Sequence, residues 1–373
     1  MVDEGRAVVD NNVSEDLIVT SLVRSCYKEM SVTVKLGDNE SARSMFARVA
    51  SWVREMDASI LSQEVFGLPS CDTESLDVAF GDVDWPVTWI ETGSGTGLAG
   101  TQLWVVSGVD VEPVEIDGCV VGTTFDDGFA RYCRLGGIVC NSGDMDREGQ
   151  ARATFETMET VLRSAGMDFC HVVRTWFYNN DILDWYGGFN KVRDTFFSER
   201  NLFDRIVPAS TGVGGVNSAG TALVGGLLAV APHDDRTSIS AVGSPLQCPA
   251  LDYGSSFSRA VEVVTPDYRR LFVSGTASIE PGGETVHIGD VEGQINLTLD
   301  VVAAILKSNG MSWQDTTRGI AYLRRPEDAV TYSALAAARG ISDLPILVTE
   351  NTICRDNLLF ELEMDAVSQN ADE

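Results

Sequence analysis

Gln150-Ala-Arg-Ala-Thr154 and Gln294-Ile-Asn-Leu-Thr298 open two stretches that run in parallel. Val161-Leu-Arg-Ser-Ala-Gly-Met167 is answered by Ile305-Leu-Lys-Ser-Asn-Gly-Met311, Arg174 by Arg318 and Tyr178 by Tyr322. All the pairs share one offset, 144 positions, the distance from Gln150 to Gln294, with no gap needed. A constant offset of this kind marks a repeated structural unit.

Each copy reads the same way on either side of these residues. A strand (Leu135–Cys140; Leu271–Ser274) leads into a long helix (Arg147–Ser164; Val291–Ser308), which a Gly-Met pair ends. A second strand (Phe169–Phe177; Thr316–Leu323) precedes a second helix (Ile182–Phe197; Pro326–Arg339), where Pro326 suits a first turn. Two further strands close each copy: Arg205–Ala209 and Ala222–Val230, then Pro345–Thr349 and Leu358–Ala366. The expected class is α/β (α+β), two β-α-β repeats side by side in one pseudo-symmetric body. Val13–Phe66 reads as mainly helical, on the apolar spacing of Met45, Phe46, Val49, Trp52, Val53, Met56 and Ile60, with Ser41 as cap. The expected division is a helical N-terminal extension over 1–75, a first repeat over 76–235 and a second over 236–368. Strands are expected at Val87–Glu91, Thr101–Ser107 and Gly118–Thr124, with Gly93–Gly100 as a hairpin loop.

Composition narrows the function. The formal charge of −28 argues against a nucleic-acid partner, which needs a basic face. An anionic substrate would have to be held by a local cluster of arginines, whose planar forks pair both oxygens of a carboxylate. The eight cysteines form no C-x-x-C pair and His171, His233 and His287 are scattered, so no metal site is expected. No apolar run suggests a membrane span, no signal peptide opens the chain, and a cytoplasmic protein with reduced thiols is the default.

The chemistry concentrates in the last strand, Leu358-Leu-Phe-Glu361-Leu-Glu363-Met364. Alternation puts Glu361 and Glu363 on one face. Two close carboxylates in an apolar strand repel each other and lose hydration, which favours a protonated acid near neutral pH. A solvated strand face would carry the same pattern. The matching strand, Ala222–Val230, has no acid. Upstream lie Cys354, readable as a small buried hydrophobe or a pocket residue, and Arg355, able to hold a carboxylate. Tyr253, with Phe257-Ser-Arg259, is a second anion-binding candidate. Leu271–Ser278 ends in small residues that leave room for a ligand. In the first copy, Arg174 and Arg193 sit among aromatics and need partners.

Phe272-Val-Ser-Gly-Thr-Ala-Ser278, Gly289-Asp…Gln294, the Gly-Met break and the Glu-x-Glu strand resemble the Rid superfamily (YjgF-like, L-PSP endoribonuclease-like), a chorismate-mutase-like fold. The double-length chain, with Phe257-Ser-Arg-Ala and Cys354-Arg…Glu361-Leu-Glu363, is similar to its chorismatase branch. The resemblance implies cleavage of the enolpyruvyl ether of chorismate with release of pyruvate, by a hydrolase or lyase that needs no cofactor. Glu361 is then the general acid, with Glu363 and Cys354 beside it. Arg259, Arg355, Tyr253, Ala277, Arg174, Arg193 and Tyr178 become the substrate-binding set. Rid-like units also imply a homotrimer. Within the branch, alanine at Ala277 points to hydrolysis to a dihydroxy-cyclohexadiene carboxylate, whereas cysteine at Cys354 points to 3-hydroxybenzoate. The strand before Glu-x-Glu lacks the arginine of Rid deaminases. Imine deamination, and binding of a small carboxylate without turnover, stand as the alternatives.

Overall fold

The computed structural model describes residues 8–14, 17–24, 27–91, 98–140 and 144–370. It contains three copies of one unit rather than two. The first comprises β1 (Val8–Ser14), β2 (Leu17–Val23), β3 (Lys28–Lys35), α1 (Ala42–Glu55), β4 (Ser59–Phe66), α2 (Thr73–Phe80), β5 (Val87–Ile90) and β6 (Gly100–Ser107). The second runs β7 (Glu112–Ile116), β8 (Cys119–Asp126), β9 (Ala130–Ile138), α3 (Arg147–Ser164), β10 (Val172–Asn179), α4 (Ile182–Glu199), β11 (Ala209–Gly214) and β12 (Leu223–Pro232). The third runs β13 (Ser238–Val242), β14 (Ala260–Val264), β15 (Tyr268–Ala277), α5 (Val291–Ser308), β16 (Thr316–Leu323), α6 (Ala329–Ala338), β17 (Ile346–Glu350) and β18 (Phe360–Gln369). The sheet orders match: β1-β2-β3-β6-β4-β5, β7-β8-β9-β12-β10-β11 and β13-β14-β15-β18-β16-β17.

The expected helical extension is therefore corrected. Only α1 of that region is a long helix, and β2, β3 and β4 are strands. Ile18, Val19, Thr20, Val32, Thr33 and Val34 are β-branched and suit a pleated surface. The first sheet extends to Ser107 and the second opens at Glu112, so residue 76 falls within a unit, inside α2. Gly93–Gly100 does not close a hairpin, because β4 lies between β5 and β6; residues 92–97 fall outside the described residues. The strand expected at Arg205–Ala209 begins only at Ala209.

The repeat has a visible cause. Asp146 caps α3 by accepting from Gly149 N at 2.8 Å, and Asp290 caps α5 through Gly293 N at 3.0 Å. Gly166 and Gly310, with φ of +75° and +70°, turn the chain out of each helix. Gln150 Oε1 accepts from Ala222 N at 2.8 Å and Gln294 Oε1 from Leu359 N at 2.7 Å, tying each helix to the chain entering the unit's last strand.

Each sheet packs its helices on one face, giving three separate cores, and turns its other face to a shared central core. Phe66, Tyr178 and Tyr322 stand at equivalent registers of β4, β10 and β16 and meet on the pseudo-threefold axis. Phe66 lies 5.7 Å from the Tyr178 ring and 6.4 Å from that of Tyr322, and the two hydroxyls are 3.5 Å apart. A cleft lined by Glu29, Glu64, Arg134, Trp176, Arg270 and Arg318 lies among the three sheets. Its arginines are paired: Arg134 with Glu64, Arg270 with Glu29 at 2.6 Å and Arg318 with Asp365 at 3.2 Å.

Candidate active site

The candidate site lies between the second and third units. Edge strand β11 is held against β15 where Ser210 N donates to Ser274 Oγ at 2.9 Å, and Ser274 Oγ donates to Ser258 O. The junction borders a pocket lined by Tyr186, Arg193, Ser210 and Gly212 from the second unit and by Tyr253, Ser255, Phe257, Arg259, Gly275, Ala277, Ile279, Cys354, Arg355, Leu358 and Glu361 from the third.

Glu361 and Glu363 point from one face of β18, as alternation requires, but in different settings. Both oxygens of Glu363 are claimed. Arg174 Nη2 donates to Oε2 at 2.9 Å, while Arg318 Nη2 and Trp176 Nε1 donate to Oε1 at 2.9 and 3.0 Å. Burial pushes this carboxyl up, but Arg174 and Arg318 pull it below its ordinary value, so it is an anion. Glu361 is 4% exposed, and among the described residues its carboxyl takes no hydrogen bond or ion pair. Burial first, and then the Glu363 charge, push it up to about 8. One strand thus carries a fixed carboxylate and, two residues away, a carboxylic acid at neutral pH.

Gly275 makes the seat for that acid. The β15–β18 register shifts between Val273 and Thr276, and a Cβ at Gly275 would lie 2.0 Å from Glu361 Oε1. The small-residue run Ser274–Ser278 therefore serves close approach rather than a simple turn.

The opposite charge is equally specific. Arg193 and Arg259 are 1% and 4% exposed, and among the described residues neither has an ion pair. Arg259 spends Nε on Cys248 O at 3.0 Å and leaves a buried Nη2 without a partner. Arg193 gives Nη2 to Asn190 Oδ1 at 2.7 Å and leaves Nε unpartnered. Arg355 donates to Gly283 O at 2.9 Å. Tyr253 lies between two guanidinium groups, its ring centroid 5.3 Å from Arg259 Cζ and 5.4 Å from Arg355 Cζ. In a chain of charge −28, three arginines without carboxylates around one pocket are a local concentration of positive charge, with donors suited to carboxylates.

Of the residues picked out in the sequence, Glu361, Cys354, Arg259, Arg355, Tyr253, Ala277 and Arg193 line this pocket. Glu363 lies behind the lining, held by arginines. Arg174 and Tyr178 do not line it either. Arg174 is fully buried and engaged by Glu363 and by Thr211 Oγ1 at 2.6 Å, and Tyr178 is on the axis. Cys354 is no ready nucleophile: burial, with Glu361 alongside, pushes its thiol up to about 12. Tyr186 and Ser210, which also line the pocket, are not among the residues that the sequence singles out. Trp176, the donor to Glu363, had no signal beyond its place beside Arg174. The equivalent registers elsewhere carry no acid: Val224 pairs with Tyr178, and Gly100 with Phe66, as Glu361 pairs with Tyr322.

No family model matches the chain. A chorismatase of Streptomyces hygroscopicus is 29% identical over 333 residues, 81% of this chain and 89% of the relative. A chorismatase of Streptomyces rapamycinicus is 31% identical over 215 residues, 52% of this chain and 63% of its own length. Among solved structures, a chorismatase crystal structure superposes with a TM-score of 0.62 at 23% identity, covering 83% of this chain and 93% of its own. A putative endoribonuclease of Thermotoga maritima, 22% identical, covers 35% of this chain and 98% of itself with a TM-score of 0.30. In sequence over most of its length, and in fold, this chain is chorismatase-like.

Proposed function

We propose that the protein cleaves the enolpyruvyl ether of chorismate and releases pyruvate, with Glu361 as general acid. The observation that carries this reading is an unpartnered carboxylic acid facing a pocket with three unpaired arginines, in a chain related to chorismatases. The arginines Arg193, Arg259 and Arg355 hold the two substrate carboxylates. Glu361 gives its proton to the terminal methylene carbon; the enol π electrons form the new C–H bond, and an oxocarbenium ion remains. Capture of the cation by water returns one proton to Glu361 and gives a hemiketal that collapses to pyruvate and an alcohol. Capture by the substrate's own hydroxyl starts the route to 3-hydroxybenzoate. Only proton transfers and water are involved, so no cofactor is called for.

A homotrimer, a small dianion as partner rather than nucleic acid or a membrane, and a cytoplasmic setting belong to the same proposal. Among the described residues no helix is long and apolar enough to cross a membrane.

The test is pyruvate release from chorismate by the wild type and by Glu361→Gln, a neutral isostere. Release that falls at least about 1,000-fold in the variant is the expected result. Folded wild-type protein that yields no pyruvate overturns the substrate. Ammonia from an amino-acid-derived imine would mark a deaminase, and ligand-induced stabilisation without turnover a binding protein.

A further inference from the structure

Arg174 is a fully buried guanidinium that uses one nitrogen. Nη2 serves both Thr211 Oγ1, at 2.6 Å, and Glu363 Oε2, at 2.9 Å. Nε and Nη1 are buried without a hydrogen-bond partner. Two unmet donors on a cation are a large penalty in a protein interior, and they invite an acceptor. No anion from solvent reaches Arg174, which is 0% exposed and lies outside the pocket lining.

A chain of contacts links Arg174 to the unpartnered carboxyl of Glu361. Thr211 Oγ1 also accepts from Gly275 N at 3.1 Å, and Thr211 Cγ2 lies 3.3 Å from the position of a Cβ on Gly275. That same position lies 2.0 Å from Glu361 Oε1. Arg174, Thr211, Gly275 and Glu361 are thus consecutive neighbours, with the acid at one end and the spare donors at the other.

We propose that Arg174 is a positioning residue that receives Glu361 after proton donation: the new carboxylate turns toward the guanidinium and is stabilised by its unused N–H donors. This rests on the reading of Glu361 as general acid. Donation leaves two carboxylates two residues apart in a dry strand, and their repulsion opposes the step. An arginine that already holds Glu363 and keeps donors in reserve lowers that opposition without solvent reorganisation. The acid–base balance is unchanged: the proton leaves Glu361 for carbon and returns from the capturing water.

The charged and titratable groups around Glu361 are Glu363 on its own strand, Arg174 on β10, Cys354 before β18 and Tyr186 on α4, with Arg193, Arg259, Arg355 and Tyr253 lining the same pocket. Glu363 raises the acid and Arg174 lowers it. The two therefore have opposite signatures in a kcat–pH profile, where activity falls as Glu361 ionises. Arg174→Met leaves a weaker acid: the falling limb moves to higher pH by about half a unit or more, yet plateau kcat drops at least about 30-fold with KM within about threefold. Glu363→Gln moves the limb to lower pH. The double variant Arg174→Met/Glu363→Gln leaves no unpaired buried charge between these two residues, and guards against misfolding of the single change. It is expected to keep the low plateau kcat.

A limb that stays put in all three variants, or a double variant with wild-type kcat, overturns the proposal. Glu361→Gln separates it from the functional reading. If that variant still turns over, the acid itself is misassigned; if it is dead while Arg174→Met has the wild-type limb and kcat, only the role of Arg174 falls.

Discussion

Glu361 and Gly275 are a matched pair, and each yields a prediction. In the unfolded chain the carboxyl titrates near 4.5, and in the folded chain near 8. Between those values the unfolded state releases a proton that the folded state keeps, so stability falls as pH rises through the window. Glu361→Gln removes the effect. Its melting temperature should exceed that of wild type at pH 8, by the equivalent of on the order of 3 kcal/mol, and converge with it near pH 4.5. A variant no more stable at pH 8 would show that the acid is not strained by burial. Gly275→Ala acts from the other side. The added methyl meets the movable end of the Glu361 side chain, and Gly275 has no positive φ, so the fold should survive. Displacing the acid by about 1 Å should cost on the order of 100-fold in kcat. Unchanged turnover would mean that the carboxyl has freedom the packing does not suggest.

The paired glutamines separate a structural from a catalytic role at the level of elements. Gln150 and Gln294 make the same bond to the chain entering β12 and β18. Alanine at either should cost about 1–3 kcal/mol, since a backbone donor loses its partner. Only Gln294→Ala should also lower turnover, because β18 carries the acid and β12 does not. Equal activity loss in both would point to general loosening. These elements are also where the sequence was most legible. Helices α3 and α5 and strand β16 were expected at their observed residues, since the repeated pattern and the Gly-Met stop are legible along the chain. The Glu-x-Glu face was readable from alternation alone. What failed depended on distant chain. Strand β3 gains its meaning only by pairing with β6, and β2 by pairing with β3, and the nearby amphipathic α1 led to a helical reading of the whole region. Arg174 looked like a ligand-binding arginine because nothing local reveals a partner on the third unit, 189 positions away.

The three units close on one another around the Phe66–Tyr178–Tyr322 contact, and the whole molecule has one acid at its three equivalent registers. One ligand per chain is therefore expected in a calorimetric titration of Glu361→Gln with chorismate, where turnover is blocked. A stoichiometry of two or three would reveal sites at junctions where Val224 and Gly100 replace the acid. At Gly100 the third unit leaves no room for a side chain: Leu347 Cδ1 would lie 2.7 Å from an added Cβ.

The covalent linkage of the units has its own consequence. In an assembly of three identical chains every substitution appears three times, so a strained acid at one junction is a strained acid at all of them. Here the penalty of the buried Glu361 falls on a single junction, and the other two are free to serve as mortar. A mutation can sharpen the working face without weakening its counterparts, which lets such a molecule tolerate a more destabilising catalytic group than a symmetric ring could.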